Sequence, residues 1–244
     1  MNAFDLHGKT ILVTGASSGL GRQTAISASQ YGARIIITGR NQQRLQETFG
    51  LLSGENHLAI PADLTLSNDI DNLVQALPVL NGVVYSTGIS EIKPARFIAA
   101  DDIEKNFSIG FNAPVLLTTQ LLRKKKLLAG ECSLLFISSI SIKYPFVGGG
   151  MYISVKAALE NYARVLALEL APKRIRVNCI APAFVKGSML DQTLESTNQD
   201  TIDQIEARQP LGLGEAEDVA NTIVYYLSNA SKWVTGTSLI LGGG

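Results

Sequence analysis

Short runs of aliphatic and β-branched residues alternate along the chain with longer stretches whose apolar positions recur at helical spacing. Thr10-Ile11-Leu12-Val13 is a near-continuous apolar run, the pattern of a strand buried on both faces. A glycine-rich turn follows, then a helical pattern from about Gly19 to Tyr31. Arg34 to Thr38 predicts a second strand, and Asn41 an N-cap for a helix running toward Leu52. Further strands are expected at His57–Ile60, Gly82–Ser86, Ser133–Ile137, Arg176–Ile180 and Thr237–Leu241. Helices are expected at Asn68–Leu77, Asp101–Leu128, Met151–Leu170 and Ala216–Ser228.

Strands alternating with helices predict an α/β fold, because each crossover returns a helix over the sheet and makes neighbouring strands parallel. The expected architecture is a Rossmann-like, doubly wound sheet covered on both faces. No Pro/Gly/Ser-rich linker or internal repeat divides residues 1–244, so one nucleotide-binding domain is expected. The polar stretch from Phe184 to Gln209 stands apart as a small excursion. Ligands of such sheets bind beyond the carboxyl ends of the strands, where this excursion would act as a lid.

Composition narrows the function classes. Lys plus Arg and Asp plus Glu are equal at 21 each, which gives no electrostatic case for nucleic acid or an anionic membrane as partner. The basic run Arg123-Lys124-Lys125-Lys126 reads as a solvated helix end. Cys132 and Cys179 lie far apart within apolar runs and there are 2 His, which predicts buried thiols and neither disulfide nor metal site. Nothing resembles a signal peptide, and no segment approaches the ~18 apolar residues of a membrane span, so a cytoplasmic protein is expected.

The first chemistry-bearing segment is Thr14-Gly15-Ala16-Ser17-Ser18-Gly19-Leu20-Gly21, between a strand and a helix. Glycines there allow a tight turn, and the helix N-terminus offers unpaired N–H groups to a phosphate. After the second strand comes Gly39-Arg40, where a cofactor without a 2′-phosphate would favour an acid. Arg40 suits that phosphate and therefore NADPH/NADP. Asp63, in Pro61-Ala62-Asp63-Leu64, is either an acceptor for the adenine amino group or a turn residue.

The second segment is Tyr152 and Lys156, one helical turn apart on a shared face. A free phenol, with a pKa of about 10, is a poor acid–base catalyst near neutrality. A neighbouring ammonium and a positive nicotinamide ring are both expected to favour phenolate, and a lowering by about two to three units corresponds to roughly 3–4 kcal/mol of differential interaction. Ser139, at the carboxyl end of a predicted strand, would donate to the substrate oxygen as charge develops there.

These motifs, in this order, resemble the short-chain dehydrogenase/reductase family, and its 3-oxoacyl-[acyl-carrier-protein] reductases in particular, from Gly8 to the C-terminus. The resemblance rests on Thr14-Gly15-x-x-x-Gly19-x-Gly21, on Ser139, Tyr152 and Lys156, and on Arg176-Val177-Asn178 with Pro182. Pro210-Leu211-Gly212, Glu217-Asp218-Val219-Ala220 and Val234-Thr235-Gly236 extend it. It implies a seven-stranded sheet in the order 3-2-1-4-5-6-7, NADPH-dependent carbonyl reduction, and a homotetramer or homodimer built on the long helices. Implied catalytic residues are Ser139, Tyr152 and Lys156. Expected cofactor contacts are Gly15, Ser17, Ser18, Gly19, Leu20 and Gly21 in the turn. Arg40, Asp63, Leu64, Ser86, Gly88, Tyr152, Lys156, Pro182 and Val185 complete them.

Departures from the family pattern carry equal weight. Tyr85-Ser86-Thr87-Gly88 stands where Asn-Asn-Ala-Gly is usual, and Gly110 where the catalytic Asn would fall, with Asn106 or Asn112 as candidate substitutes. Ala183 replaces a Gly after Pro182, Gly187 replaces a Thr that Ser188 could stand in for, and Gly242 replaces an acid. Two functions are therefore carried forward: a reductase of a small-molecule carbonyl, and an NADP-binding protein of weakened catalysis serving as redox sensor or assembly subunit.

Overall fold

The computed structural model describes residues 3–187, 190–191, 207 and 209–242. Within them, seven parallel strands form one sheet in the order β3-β2-β1-β4-β5-β6-β7. The strands are β1 (Thr10–Thr14), β2 (Arg34–Gly39), β3 (Leu58–Pro61), β4 (Gly82–Tyr85), β5 (Ser133–Ile137), β6 (Arg176–Pro182) and β7 (Ser238–Leu241). The helices are α1 (Gly19–Gln30), α2 (Gln42–Phe49), α3 (Ser67–Ala76), α4 (Ala100–Phe107), α5 (Ala113–Arg123), α6 (Gly150–Leu170) and α7 (Ala216–Leu227).

Strand residues divide alternately between two cores, as the two-residue pleat requires. Leu12, Ile36, Val83, Leu134 and Val177 pack on one face with Leu73 of α3, Leu117 of α5 and Leu159 of α6. Their neighbours Ile11, Val13, Ile35, Ile37, Val84 and Leu135 pack on the other with Ala25 of α1, Leu45 of α2 and Ile223 of α7. That two-sided burial is why the strands read as continuous apolar runs.

The chain between 101 and 128, expected as one helix, is instead α4, a single π turn over Ser108–Asn112, and α5. Pro114 lies at the start of α5 and cannot donate the backbone bond a continuous helix needs. A wider i→i+5 turn absorbs that loss, with buried Gly110 in it. α5 then stops at Arg123, and Lys125 adopts a left-handed φ of 53°. The basic run is thus a helix end, with Arg123, Lys124 and Lys125 exposed. Cys132 and Cys179 are buried and unpaired.

The strand order reverses between β1 and β4, which lie side by side with Thr14 opposite Tyr85. Chain crossings leave that point in opposite directions and open a crevice above the carboxyl ends. Among the described residues no helix is long and apolar enough to cross a membrane.

Candidate active site

A cleft of roughly 1240 Å³ occupies that crevice, lined by Gly15, Ser17, Ser18, Gly19 and Leu20 on one side and by Ser139, Tyr152 and Lys156 on the other. Its floor is the turn after β1. Gly15 and Gly19 have φ of 65° and 53°, the left-handed region in which a side chain is strained. A Cβ added to Gly15 would fall 2.6 Å from the Ser86 carbonyl oxygen, and one on Gly21 2.4 Å from the Gly15 carbonyl oxygen. Backbone packing that close demands glycine.

Ser18 precedes α1 as its N-cap, yet its side chain makes no capping bond, so the first-turn N–H groups stay available at the cleft. The Ser17 and Thr87 hydroxyls line the same cleft, and both are buried without a partner among the described residues. An anionic, hydroxyl-rich ligand such as a dinucleotide would satisfy both features, so the residues present fit the expected cofactor. Ser86 is placed there too, its N–H donating to the Thr14 hydroxyl at 3.1 Å. Gly88 leaves Lys156 room, since a Cβ there would sit 3.3 Å from Nζ.

At the far end, Arg40 and Asp63 come together at 4.0 Å, with the guanidinium mostly in solvent. Asp63 Oδ1 closes a local turn, accepting from the Thr65 N–H at 3.0 Å and the Thr65 hydroxyl at 2.7 Å. Of the two roles weighed for Asp63, the turn is therefore formed. Burial works to raise its carboxyl, but the Thr65 bonds and Arg40 outweigh that and hold it below the usual range. Leu64 lines the cleft beside it, and Arg44 of α2 adds a second cation. The Arg40–Arg44 spacing of four at a helix start is the sequence signal for that pair.

The reactive end combines β5 and α6. Ser139 lies two residues past the end of β5 and N-caps a 3₁₀ turn over Ile140–Ile142. Tyr152 and Lys156 occupy the first two turns of α6, with Nζ 5.8 Å from the phenol ring centroid. Lys156 is buried and donates to the Ile137 carbonyl at 2.7 Å. Burial pulls its ammonium down to about 8, because the partner is a neutral carbonyl. Burial likewise raises the Tyr152 phenol above its ordinary value, opposed by the Ser139 hydroxyl.

Of the departures, Tyr85 points into the core, stacked on Phe136 at 4.3 Å with its hydroxyl bonded to Thr118 at 2.7 Å. Neither candidate substitute for the missing Asn serves Lys156. Asn106 donates to the Asp102 carbonyl at 2.8 Å and Asn112 is exposed. A Cβ on Gly110 would lie 2.4 Å from Val155 Cγ1, so Val155 fills the space an Asn would need.

Pro182 ends β6, and Val185 forms a bridge with Gly214; both line the cleft. Gln209, unremarked in the sequence, ties the two ends of the 184–209 excursion: its amide accepts from the Phe184 N–H at 3.3 Å and donates to the Phe184 carbonyl at 3.2 Å. Most of the expected lid, including Ser188, lies outside the described residues.

The family model described as enoyl-(acyl carrier protein) reductase matches residues 15–244. The 3-oxoacyl-[acyl-carrier-protein] reductase FabG of Rickettsia felis is 31% identical over 98% of both chains. The chain belongs to the short-chain dehydrogenase/reductase family. Dehydrogenase/reductase SDR family member 4 of Homo sapiens is 29% identical over 98% of this chain and 88% of its own. A solved short-chain dehydrogenase/reductase from Mycobacterium ulcerans superposes with a TM-score of 0.89 at 28% identity, covering 98% of this chain and 90% of that one. As a short-chain dehydrogenase/reductase the chain is an oxidoreductase, and its family uses a nicotinamide cofactor.

Proposed function

We propose that this chain is an NADPH-dependent reductase converting a ketone, of 3-oxoacyl type, into an alcohol. The observation that carries the reading is the meeting, in one cleft, of a glycine-only phosphate turn with a serine, a tyrosine and a lysine. The bound nicotinamide supplies the hydride. Tyr152 donates its phenolic proton to the carbonyl oxygen, and Ser139 hydrogen-bonds that oxygen as negative charge grows on it. Lys156, with its ammonium at about 8, is mostly charged at neutral pH and eases loss of the Tyr152 proton. In the reverse direction the same phenolate takes the alcohol proton.

Arg40 and Arg44 support NADPH over NADH, since both line the far end of the cleft where a 2′-phosphate would need cations. The walls around the reactive end are apolar: Ile92, Tyr144, Phe146 and Phe184 favour an acyl or ring-bearing substrate. Exposed Leu116 on α5 with Val165 and Leu168 on α6 supports assembly as a homodimer or homotetramer through those helices. Arg40→Ala tests the cofactor choice. NADPH affinity should fall about tenfold, the scale of one charge-assisted bond at an exposed site, with NADH little changed. Equal losses for both would remove the phosphate role.

A second reading has its own support. Val155 occupies the place of the family's Asn, and Lys156 reaches only a backbone carbonyl among the described residues. An NADP-binding protein of weakened catalysis, working as redox sensor or assembly subunit, would look like this. Tight NADPH binding with no turnover across a panel of 3-oxoacyl thioesters, enoyl thioesters and cyclic ketones would favour it.

A further inference from the structure

We propose that Ser141 is a positioning residue: its hydroxyl donates to Ser139 and thereby commits the Ser139 proton to the substrate oxygen. The inference rests on the reading of Ser139 given above, and it assigns a role to a residue that this reading leaves unused.

Ser139 and Ser141 are both buried, at 8% and 6% exposure. Their hydroxyl oxygens are 2.6 Å apart, and the Ser141 N–H also donates to Ser139 Oγ at 3.2 Å. A hydroxyl carries one proton and two acceptor positions, so the direction of the short bond decides what Ser139 can do. If Ser139 donates to Ser141, its proton is used up and cannot reach a substrate. The Ser141 proton then has no acceptor among the described residues and can turn only into the cleft that Ser141 also lines, away from Ser139. A buried donor left unmade is costly.

If Ser141 donates instead, both acceptor positions of Ser139 are filled, one by the backbone N–H and one by the neighbouring hydroxyl. The single Ser139 proton must then leave the pair, toward Tyr152 and the cleft. That proton then faces the phenol it is meant to assist, in the cleft both residues line, so this direction is preferred. The 3₁₀ turn over Ile140–Ile142 fixes the spacing: Ser139 and Ser141 flank Ile140 at the end of β5. The hydroxyl of Ser139 already touches the environment of Tyr152, where it opposes the effect of burial on the phenol. A hydroxyl so committed needs no reorientation when charge develops on the substrate, which is the condition for effective stabilisation of a transition state.

The test uses the full chain with NADPH and the N-acetylcysteamine thioester of 3-oxobutanoate as probe. Ser141→Ala should lower kcat about tenfold, the scale of one lost directed hydrogen bond, with KM for the probe and the melting temperature close to wild type. Ser141→Thr keeps the hydroxyl and should recover most of the rate. Adding Ser141→Ala to Ser139→Ala should cost nothing further, since Ser141 acts through Ser139. A readout free of turnover is the Tyr152 phenol titration, taken as the absorbance difference from Tyr152→Phe: both Ser139→Ala and Ser141→Ala should move its midpoint upward.

A raised KM with unchanged kcat in Ser141→Ala would make Ser141 a substrate contact and overturn the proposal. So would a threonine variant as slow as the alanine one, or a full additional loss in the double variant. If Ser139→Ala lowers the rate or moves the titration while Ser141→Ala does neither, this inference fails and the role of Ser139 stands. If neither variant changes either readout, both fall together.

Discussion

Gly110→Ala sets two physical effects against each other. In an ordinary helix interior, replacing Gly by Ala stabilises by about 0.5–1 kcal/mol, because the unfolded glycine loses more freedom on folding. Here the new Cβ would sit 2.4 Å from Val155 Cγ1. Comfortable carbon–carbon contact begins at about 3.5 Å, so the overlap is roughly 1.1 Å. Val155 is buried in α6 at 4% exposure, and a β-branched side chain in a helix has essentially one rotamer. It cannot swing aside, so the backbone of α6 or of the π turn must move. Overpacking of that kind typically costs about 1–3 kcal/mol. After subtracting the glycine gain, Gly110→Ala should destabilise by about 0.5–2 kcal/mol, a fall in Tm of a few degrees at this chain length.

Thermal and urea unfolding of the two single variants and the double Gly110→Ala/Val155→Ala give the cycle. Val155→Ala removes the methyl that collides, so in that background the new alanine should be neutral or stabilising. The coupling should be about 1–3 kcal/mol toward rescue. The steric reasoning is refuted if Gly110→Ala raises Tm or if the two single effects simply add. The same collision governs any attempt to restore an Asn: Gly110→Asn requires Val155→Ala beside it.

Gly15→Ala should abolish measurable NADPH binding at concentrations that saturate wild type, since φ is 65° and the added carbon meets the Ser86 carbonyl at 2.6 Å; unchanged affinity by fluorescence titration would dismiss the cradle. Lys156 yields a prediction in pH. Its ammonium is lowered by burial from 10.5 to about 8, so between those values the unfolded chain binds more protons than the folded one. The penalty for burying that charge is complete below about pH 8 and relieved as pH rises toward 10.5. The stability of the wild type relative to Lys156→Met, measured by urea unfolding without cofactor, should therefore grow across that window. A flat or falling difference would mean the ammonium is not desolvated.

Much of the architecture was legible because the central strands are buried on both faces and each connection returns over the sheet. Leu12 and its neighbours Ile11 and Val13 serve opposite cores, so the run had to be apolar throughout. The break in the long helical stretch was not read, although its cause was visible: Pro114 and Gly110 lie within five residues of each other. Periodicity alone does not register a π turn, since the apolar face resumes after it. At the site, Ser139, Tyr152 and Lys156 were found from order and spacing, and the cleft gathers them. The burial that raises the Tyr152 phenol is not legible in the residue pattern, because desolvation depends on how tightly the surroundings close. Ser141 and Gln209 escaped notice for a related reason. Their importance lies in which atoms they touch, and neither belongs to a residue pattern that signals chemistry.

The most direct test of the central claim compares wild type with Tyr152→Phe under one protocol. NADPH binding is titrated first, then single-turnover oxidation of the bound cofactor is followed with a 3-oxoacyl thioester. Equal NADPH affinity in both proteins, with oxidation in the wild type and none in the phenylalanine variant, is the predicted result. Oxidation at the wild-type rate without the phenol, or failure of the wild type to bind NADPH, would contradict it.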